Sequence, residues 1–238
     1  MRVLELRRYP VKAMGGESLA SVLLDARGLV ADRWFAVEDD DGHFASGKDT
    51  RRFRRHDEVF EYAASSVDGQ VVVRHGERSW TVGDRALDDE LSERMGTPVR
   101  VLPEADVPHF DDGQLSLIGT ASLDWCREQL GVDTDWRRLR PNIVLETAEP
   151  FVEESWIGQV VQVGAVQLRV VSRIERCRTV DLAQNGVTDT TRLLKALGRS
   201  RNVCLGVYAD VVAPGPVRIG DAAVPVRAGW WAGRSRAG

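Results

Sequence analysis

Along the chain, short apolar runs alternate with polar positions and are cut by sharp turns, a pattern of strands with a few helices between them. Val22-Leu23-Leu24 runs to Gly28, and Trp34-Phe35-Ala36-Val37 leads through Asp41-Gly42 into His43-Phe44-Ala45. Asp-Gly between apolar stretches predicts a two-residue type I′ hairpin, whose central residues both need positive φ. Val71-Val72-Val73 and Trp80-Thr81-Val82, around His75-Gly76, predict a second hairpin. In a third, Val161 and Val163 alternate with Gln162, Gly164-Ala165 turns the chain, and Val166, Leu168 and Val170 alternate back. Such alternation predicts a half-buried antiparallel sheet.

Three helices punctuate the strands. Asp84 is placed to cap one whose Leu87, Leu91 and Met95 share a face, with Gly96 at its end and Pro98 beyond. Thr120 is placed to cap a second, with Leu123, Cys126 and Leu130 on one face and Gly131 as its stop. The third carries Leu193, Leu194 and Leu197 and is expected to stop at Gly198. The stretch from about Pro98 to Gln114, with Pro103, Pro108 and Asp111-Asp112-Gly113, reads as a connection between two halves.

Composition narrows the class. The 238 residues carry a formal charge of −4, with 43% hydrophobic and 29% charged residues, an ordinary globular balance with enough chain for one large or two small domains. A mildly acidic total argues against a nucleic-acid partner, and no apolar run is long enough for a signal peptide or a membrane span. Three well-separated cysteines make no disulfide framework, so a reducing, cytoplasmic setting is expected. Of the 32 basic residues 29 are arginine, a bias that fits coding preference or, at a few positions, planar clamps for oxyanions.

The signatures GxGxxG, GxSxG, HExxH and the P-loop are absent, as is any CxxC pair for zinc. Cys126 falls on a helix's apolar face and Cys204 within Val203-Cys204-Leu205-Gly206-Val207, so both read as small hydrophobes. Cys177 differs. It stands between Arg176 and Arg178 with Arg173 nearby, and cationic neighbours favour the thiolate, the form that attacks electrophiles or binds soft metals. The run Arg51-Arg52-Phe53-Arg54-Arg55-His56 reads as a solvated face, or in part as one wall of an anionic-ligand pocket.

Five segments taken in order resemble the MOSC family, the molybdenum cofactor sulfurase C-terminal domain preceded by an N-terminal β-barrel domain. They are Tyr9-Pro10-Val11-Lys12, Gly28-Leu29-Val30-Ala31-Asp32-Arg33-Trp34, Arg140-Pro141-Asn142-Ile143-Val144, Arg176-Cys177-Arg178-Thr179-Val180-Asp181 and Pro214-Gly215-Pro216-Val217-Arg218-Ile219-Gly220-Asp221. The resemblance implies an α+β, predominantly β fold of two β-barrel-like subdomains, residues 1–105 and 106–227 with a tail at 228–238. Between the subdomains it implies a cleft for the molybdenum cofactor, a Mo-pyranopterin.

It further implies that Cys177 ligates the metal and is the catalytic residue. Lys12, Arg33, Arg140 and Asn142 match positions holding the cofactor's phosphate and pterin, Ser46 and Lys48 match a pair in the same cleft, and Thr120, Arg176 and Tyr208 are further expected contacts. The chain departs from the family where Arg173-Ile174 replaces a common Pro-Cys, where Ala13 replaces a Ser, and where no Pro follows Asp181. The resemblance implies a molybdenum-dependent oxidoreductase acting on a small N-oxygenated substrate. Because no ferredoxin-like module is seen, electrons are expected from a separate ferredoxin- or flavoprotein-type donor. The alternatives are a carrier of the cofactor or of sulfur on Cys177, and a binding module without metal.

Overall fold

A computed structural model describes residues 1–132, 134–187 and 189–226; the expected tail at 228–238 lies outside the described residues. Its largest sheet has eight strands, in spatial order Ala223–Pro225, Val160–Val163, Val166–Glu175, Cys204–Ala213, Leu115–Gly119, Ile143–Glu146, Arg2–Arg8 and Glu17–Ser18. The alternating positions named above point into one core, where Val161, Val163, Val166, Leu168 and Val170 are all fully buried. Gly164, at φ 57°, supplies the first turn position between Val163 and Val166.

The sheet is not purely antiparallel. Leu115–Gly119 and Ile143–Glu146 run parallel, because the chain returns between them through the helices Thr120–Leu130 and Trp136–Leu139. The short second helix has too few turns to leave an apolar period in the sequence. Gly96 and Gly131 end their helices in left-handed conformation at φ 68° and 63°, whereas the last helix, Leu193–Ser200, runs two residues past Gly198. Asp84 holds the expected N-cap position, but its carboxylate accepts from the Thr81 N–H rather than from the helix.

A second layer comes from the N-terminal half. Val99–Pro103, Phe35–Asp39, Phe44–Ser46 and Phe53–Arg55 form one sheet, and Ala63–Val67, Gln70–His75 and Arg78–Thr81 another. With the helix Arg85–Met95 they enclose a core around Met14, Phe60, Tyr62, Leu87 and Leu91. Two expectations are corrected here. The type I′ geometry falls at Asp68-Gly69, where both residues have positive φ, while at Asp41-Gly42 only the glycine does. The Asp41-Gly42 turn is wider, closed by Asp39 pairing with His43. The connection between halves is also shorter than 98–114, since Val99–Pro103 is a full strand paired to Phe35–Asp39.

The halves interlock. Arg2–Arg8 pairs with Ile143–Glu146, and Gly215–Arg218 pairs with Ser21–Asp25, so each end of the sequence completes a sheet with the other half. Among the described residues no helix is long and apolar enough to cross a membrane.

Candidate functional site

Where the layers meet, a cleft partly open to solvent is walled by both halves. The N-terminal layer supplies Lys12, Ala13, Arg33, Ser46, Lys48 and Phe60; the large sheet and its loops supply Ser116, Arg138, Arg140, Asn142, Ile174, Arg176, Cys177, Thr179 and Tyr208; and Phe110 to Gly113 come from the connection. Nine of the ten residues expected at the site therefore share one cleft. Thr120 does not. It opens the helix Thr120–Leu130, and its hydroxyl exchanges hydrogen bonds with the Thr147 backbone.

Tyr9 is the platform for two of the cations. Its ring is buried, with the Arg140 guanidinium 4.4 Å and the Arg33 guanidinium 4.9 Å from the centroid. Both arginines take left-handed backbone, φ 52° at Arg33 and 54° at Arg140, which turns the chain sharply at the cleft edge. Arg33 is ion-paired to the buried Asp32, which also accepts from the Tyr9 N–H. Arg140 instead donates from Nη2 to the Met14 carbonyl at 2.6 Å.

Arg138 and Arg176 are likewise held by carbonyls. Arg176 donates from Nε to Leu205 O at 2.7 Å and from Nη1 to Leu139 O at 2.9 Å, and its buried Nη2 has no partner. Arg138, 3% exposed, donates to the carbonyls of Leu182 and Asp189 and leaves Nε unpartnered. Among the described residues no carboxylate pairs with Arg138, Arg140 or Arg176. Burial lowers both Arg140 and Arg176 to about 10. Guanidinium groups partly withdrawn from water with no carboxylate bonded to them are costly to the fold and favour an anionic ligand in the cleft.

Lys12 is 4% exposed, with Nζ 3.0 Å from Asp111 Oδ1 and 4.7 Å from the Phe53 ring centroid. Burial lowers its pKa, and the Asp111 carboxylate opposes that shift. Lys48 Nζ is 5.0 Å from the centroid of the same ring. Tyr208 is pushed up to about 12, by burial first and by Asp111 next, so its phenol stays protonated and can donate. Asn142, 1% exposed, spends its amide on Ser116 and the Arg7 carbonyl, tying three strands together beneath the cleft.

Cys177 lies two residues beyond the strand Val166–Glu175 and immediately precedes a 3₁₀ turn at Arg178–Asp181. Its half-buried thiol donates to Thr179 Oγ1 at 3.3 Å. Of its three arginine neighbours in sequence only Arg176 lines the cleft. Arg173 is exposed on the strand, and Arg178 turns away to a bidentate pair with Asp57 and to the Gly47 carbonyl. Cys126 is fully buried, its thiol raised to about 11 by burial, and Cys204 is 5% exposed, as expected of packing residues. None of the basic run at 51–56 lines the cleft: Arg54 pairs with Asp39 and Asp41, Arg55 with Asp57, and Arg52 donates to the carbonyls of Pro108 and Phe110. Arg138, Asp111 and Thr179 escaped sequence reasoning; the only signal for Arg138 was its place two residues before Arg140.

The MOSC domain model matches residues 74–224, and the MOSC N-terminal beta barrel domain model matches residues 1–90. The chain belongs to the MOSC domain family. It is similar to the molybdenum cofactor sulfurase of Danio rerio, 24% identical over 261 residues, covering 84% of this chain and 31% of that protein. It is also similar to the human mitochondrial amidoxime reducing component 2, 24% identical over 277 residues, covering 92% of this chain and 82% of that protein. The chain spans about a third of the length of the sulfurases it matches. The YUAD protein from Bacillus subtilis shares the fold, with a TM-score of 0.51 at 12% identity over 92% of each chain.

Proposed function

We propose that this chain binds a molybdenum–pterin cofactor in the cleft and is an oxidoreductase for small N-hydroxylated compounds, taking electrons from a separate donor protein. One observation carries the reading: the half-buried Cys177 thiol shares a cleft with the buried Arg138 and the half-buried Arg140 and Arg176, none of them paired to a carboxylate among the described residues. That donor set fits the group, since a thiolate suits a soft metal and uncompensated guanidinium charge suits a phosphate. When bound, the cofactor supplies oxygen-atom removal coupled to two-electron chemistry at molybdenum.

The chain's own residues bind and orient. Lys12, Arg33 and Arg140 would hold the phosphate and pterin, with Tyr9 fixing both arginines from below. Arg176, in the same cleft as the cysteine, has one guanidinium nitrogen, Nη2, without a hydrogen-bond partner. Thr179 Oγ1 sets the direction of the thiol, and the protonated Tyr208 phenol offers a donor on the facing wall. Phe60 and Phe110 keep part of the wall apolar, which limits water around a reacting group.

Protein purified from cells that make the cofactor, supplied with a chemical reductant, is expected to reduce an amidoxime or a hydroxylamine to the corresponding amidine or amine. Molybdenum-loaded protein inactive across such a panel would favour a carrier of cofactor or sulfur instead.

A further inference from the structure

Lys12 already has an anion. Asp111 places Oδ1 3.0 Å from Lys12 Nζ, inside the cleft, and Lys48 and Arg33 stand close enough to add to the field on the same carboxyl. The carboxyl is nearly half exposed, and the two lysines and Arg33 together hold it well below the usual carboxylate range.

Asp111 also sits outside the regular elements of the fold. The chain around it has no helix or strand from 104 to 114. Its flanks are fixed: the buried His109 packs edge-on against Phe44 at 4.8 Å, Arg52 donates to the Phe110 carbonyl, and Gln114 Oε1 accepts from the Val211 N–H. Between those anchors, residues 111–113 make no backbone hydrogen bond among the described residues. Gly113 backs directly onto the Tyr208 side chain, and the contact to Lys12 is the hydrogen bond that holds the Asp111 carboxylate in the cleft.

We propose that Asp111 is the cleft's own tethered anion, competing with a bound phosphate group for Lys12 and so setting how tightly the site holds phosphate-bearing ligands. The ligand class rests on the cofactor reading above; the competition rests on the Lys12–Asp111 geometry. A site whose cation is engaged by an internal competitor binds with an affinity reduced by the fraction of time it is free. The contact also protects the fold in the meantime, because a buried lysine with no partner is costly.

The test uses the full chain prepared from cells unable to make the cofactor, with inorganic phosphate as probe and calorimetry as readout. Asp111→Asn keeps the shape and removes the competing charge, and is expected to bind phosphate about tenfold more tightly than the wild type, the factor for a competitor present about nine-tenths of the time. Lys12→Met is expected to abolish the gain when combined with Asp111→Asn. Asp112→Asn removes the same charge one residue away without touching Lys12, and is expected to change affinity by less than about twofold, as screened surface charge does. Equal affinity in wild type and Asp111→Asn, no phosphate binding by Asp111→Asn, or an equal gain from Asp112→Asn would each overturn the proposal. None of these results depends on molybdenum content, so the cofactor reading stands or falls separately.

Discussion

The Cys177 thiol and the Thr179 hydroxyl oxygen are 3.3 Å apart, and a Cβ built on Gly47 would lie 2.7 Å from that same oxygen. Gly47 lets the turn after Phe44–Ser46 close directly onto the cysteine loop, where Arg178 also donates to its carbonyl. Gly47→Ala is therefore expected to cost about 1–3 kcal/mol, the usual range for overpacking. Urea denaturation checks it, and Thr179→Ala in the same chain should recover part of the loss. An unchanged midpoint in Gly47→Ala would show that the contact is looser than described.

Arg176 points to a trade between stability and binding. Replacing it by Met removes a buried charge that no carboxylate balances and leaves the carbonyls of Leu205 and Leu139 without donors. The two effects oppose each other, so the cofactor-free protein is expected to change by no more than about 1.5 kcal/mol. Phosphate affinity, by contrast, should fall by at least about tenfold, as when one charge-assisted contact is lost. A stability loss above about 3 kcal/mol with unchanged phosphate affinity would make Arg176 structural.

His109 predicts a pH dependence. Burial lowers its imidazole to about 4, while the unfolded chain titrates near 6.5. Between those values the unfolded state takes up a proton that the folded state refuses, so stability is full above about pH 6.5 and is lost as pH falls toward 4. The integrated effect is about 3 kcal/mol. Denaturation across a pH series should show this slope in the wild type and flatten it in His109→Gln. A slope that persists in the variant would assign it to another group.

Thr120 is the residue whose family match and position disagree. Its hydroxyl serves the Thr147 backbone, so Thr120→Val is expected to cost about 1 kcal/mol of stability and to leave cofactor content unchanged. Loss of the cofactor in a folded Thr120→Val would return it to the site.

Much of the architecture could be read before the structure because it rests on local rules. Gly164-Ala165 between alternating valines, and Gly96 and Gly131 behind apolar helix faces, each specify geometry through φ alone. What stayed hidden depends on distant chain. Ala63-Ala64-Ser65-Ser66 is a weak strand former and becomes a strand only by pairing with Gln70–His75, which is why the true I′ turn at Asp68-Gly69 went unseen. The arginines around Cys177 looked equivalent in sequence, but Arg178 finds Asp57 from 121 residues away and Arg173 points to solvent. Asp111 looked like loop chemistry, and only the fold brings it to Lys12.

The most direct test of the account is molybdenum content. Wild-type protein and the three Cys→Ser variants are purified from cells that make the cofactor, and metal and pterin are measured per chain. Wild type, Cys126→Ser and Cys204→Ser are expected to carry close to one molybdenum per chain and Cys177→Ser close to none, as follows when a single thiolate anchors the metal. Wild-type protein without molybdenum or pterin, or Cys177→Ser loaded as fully as the wild type, would contradict it.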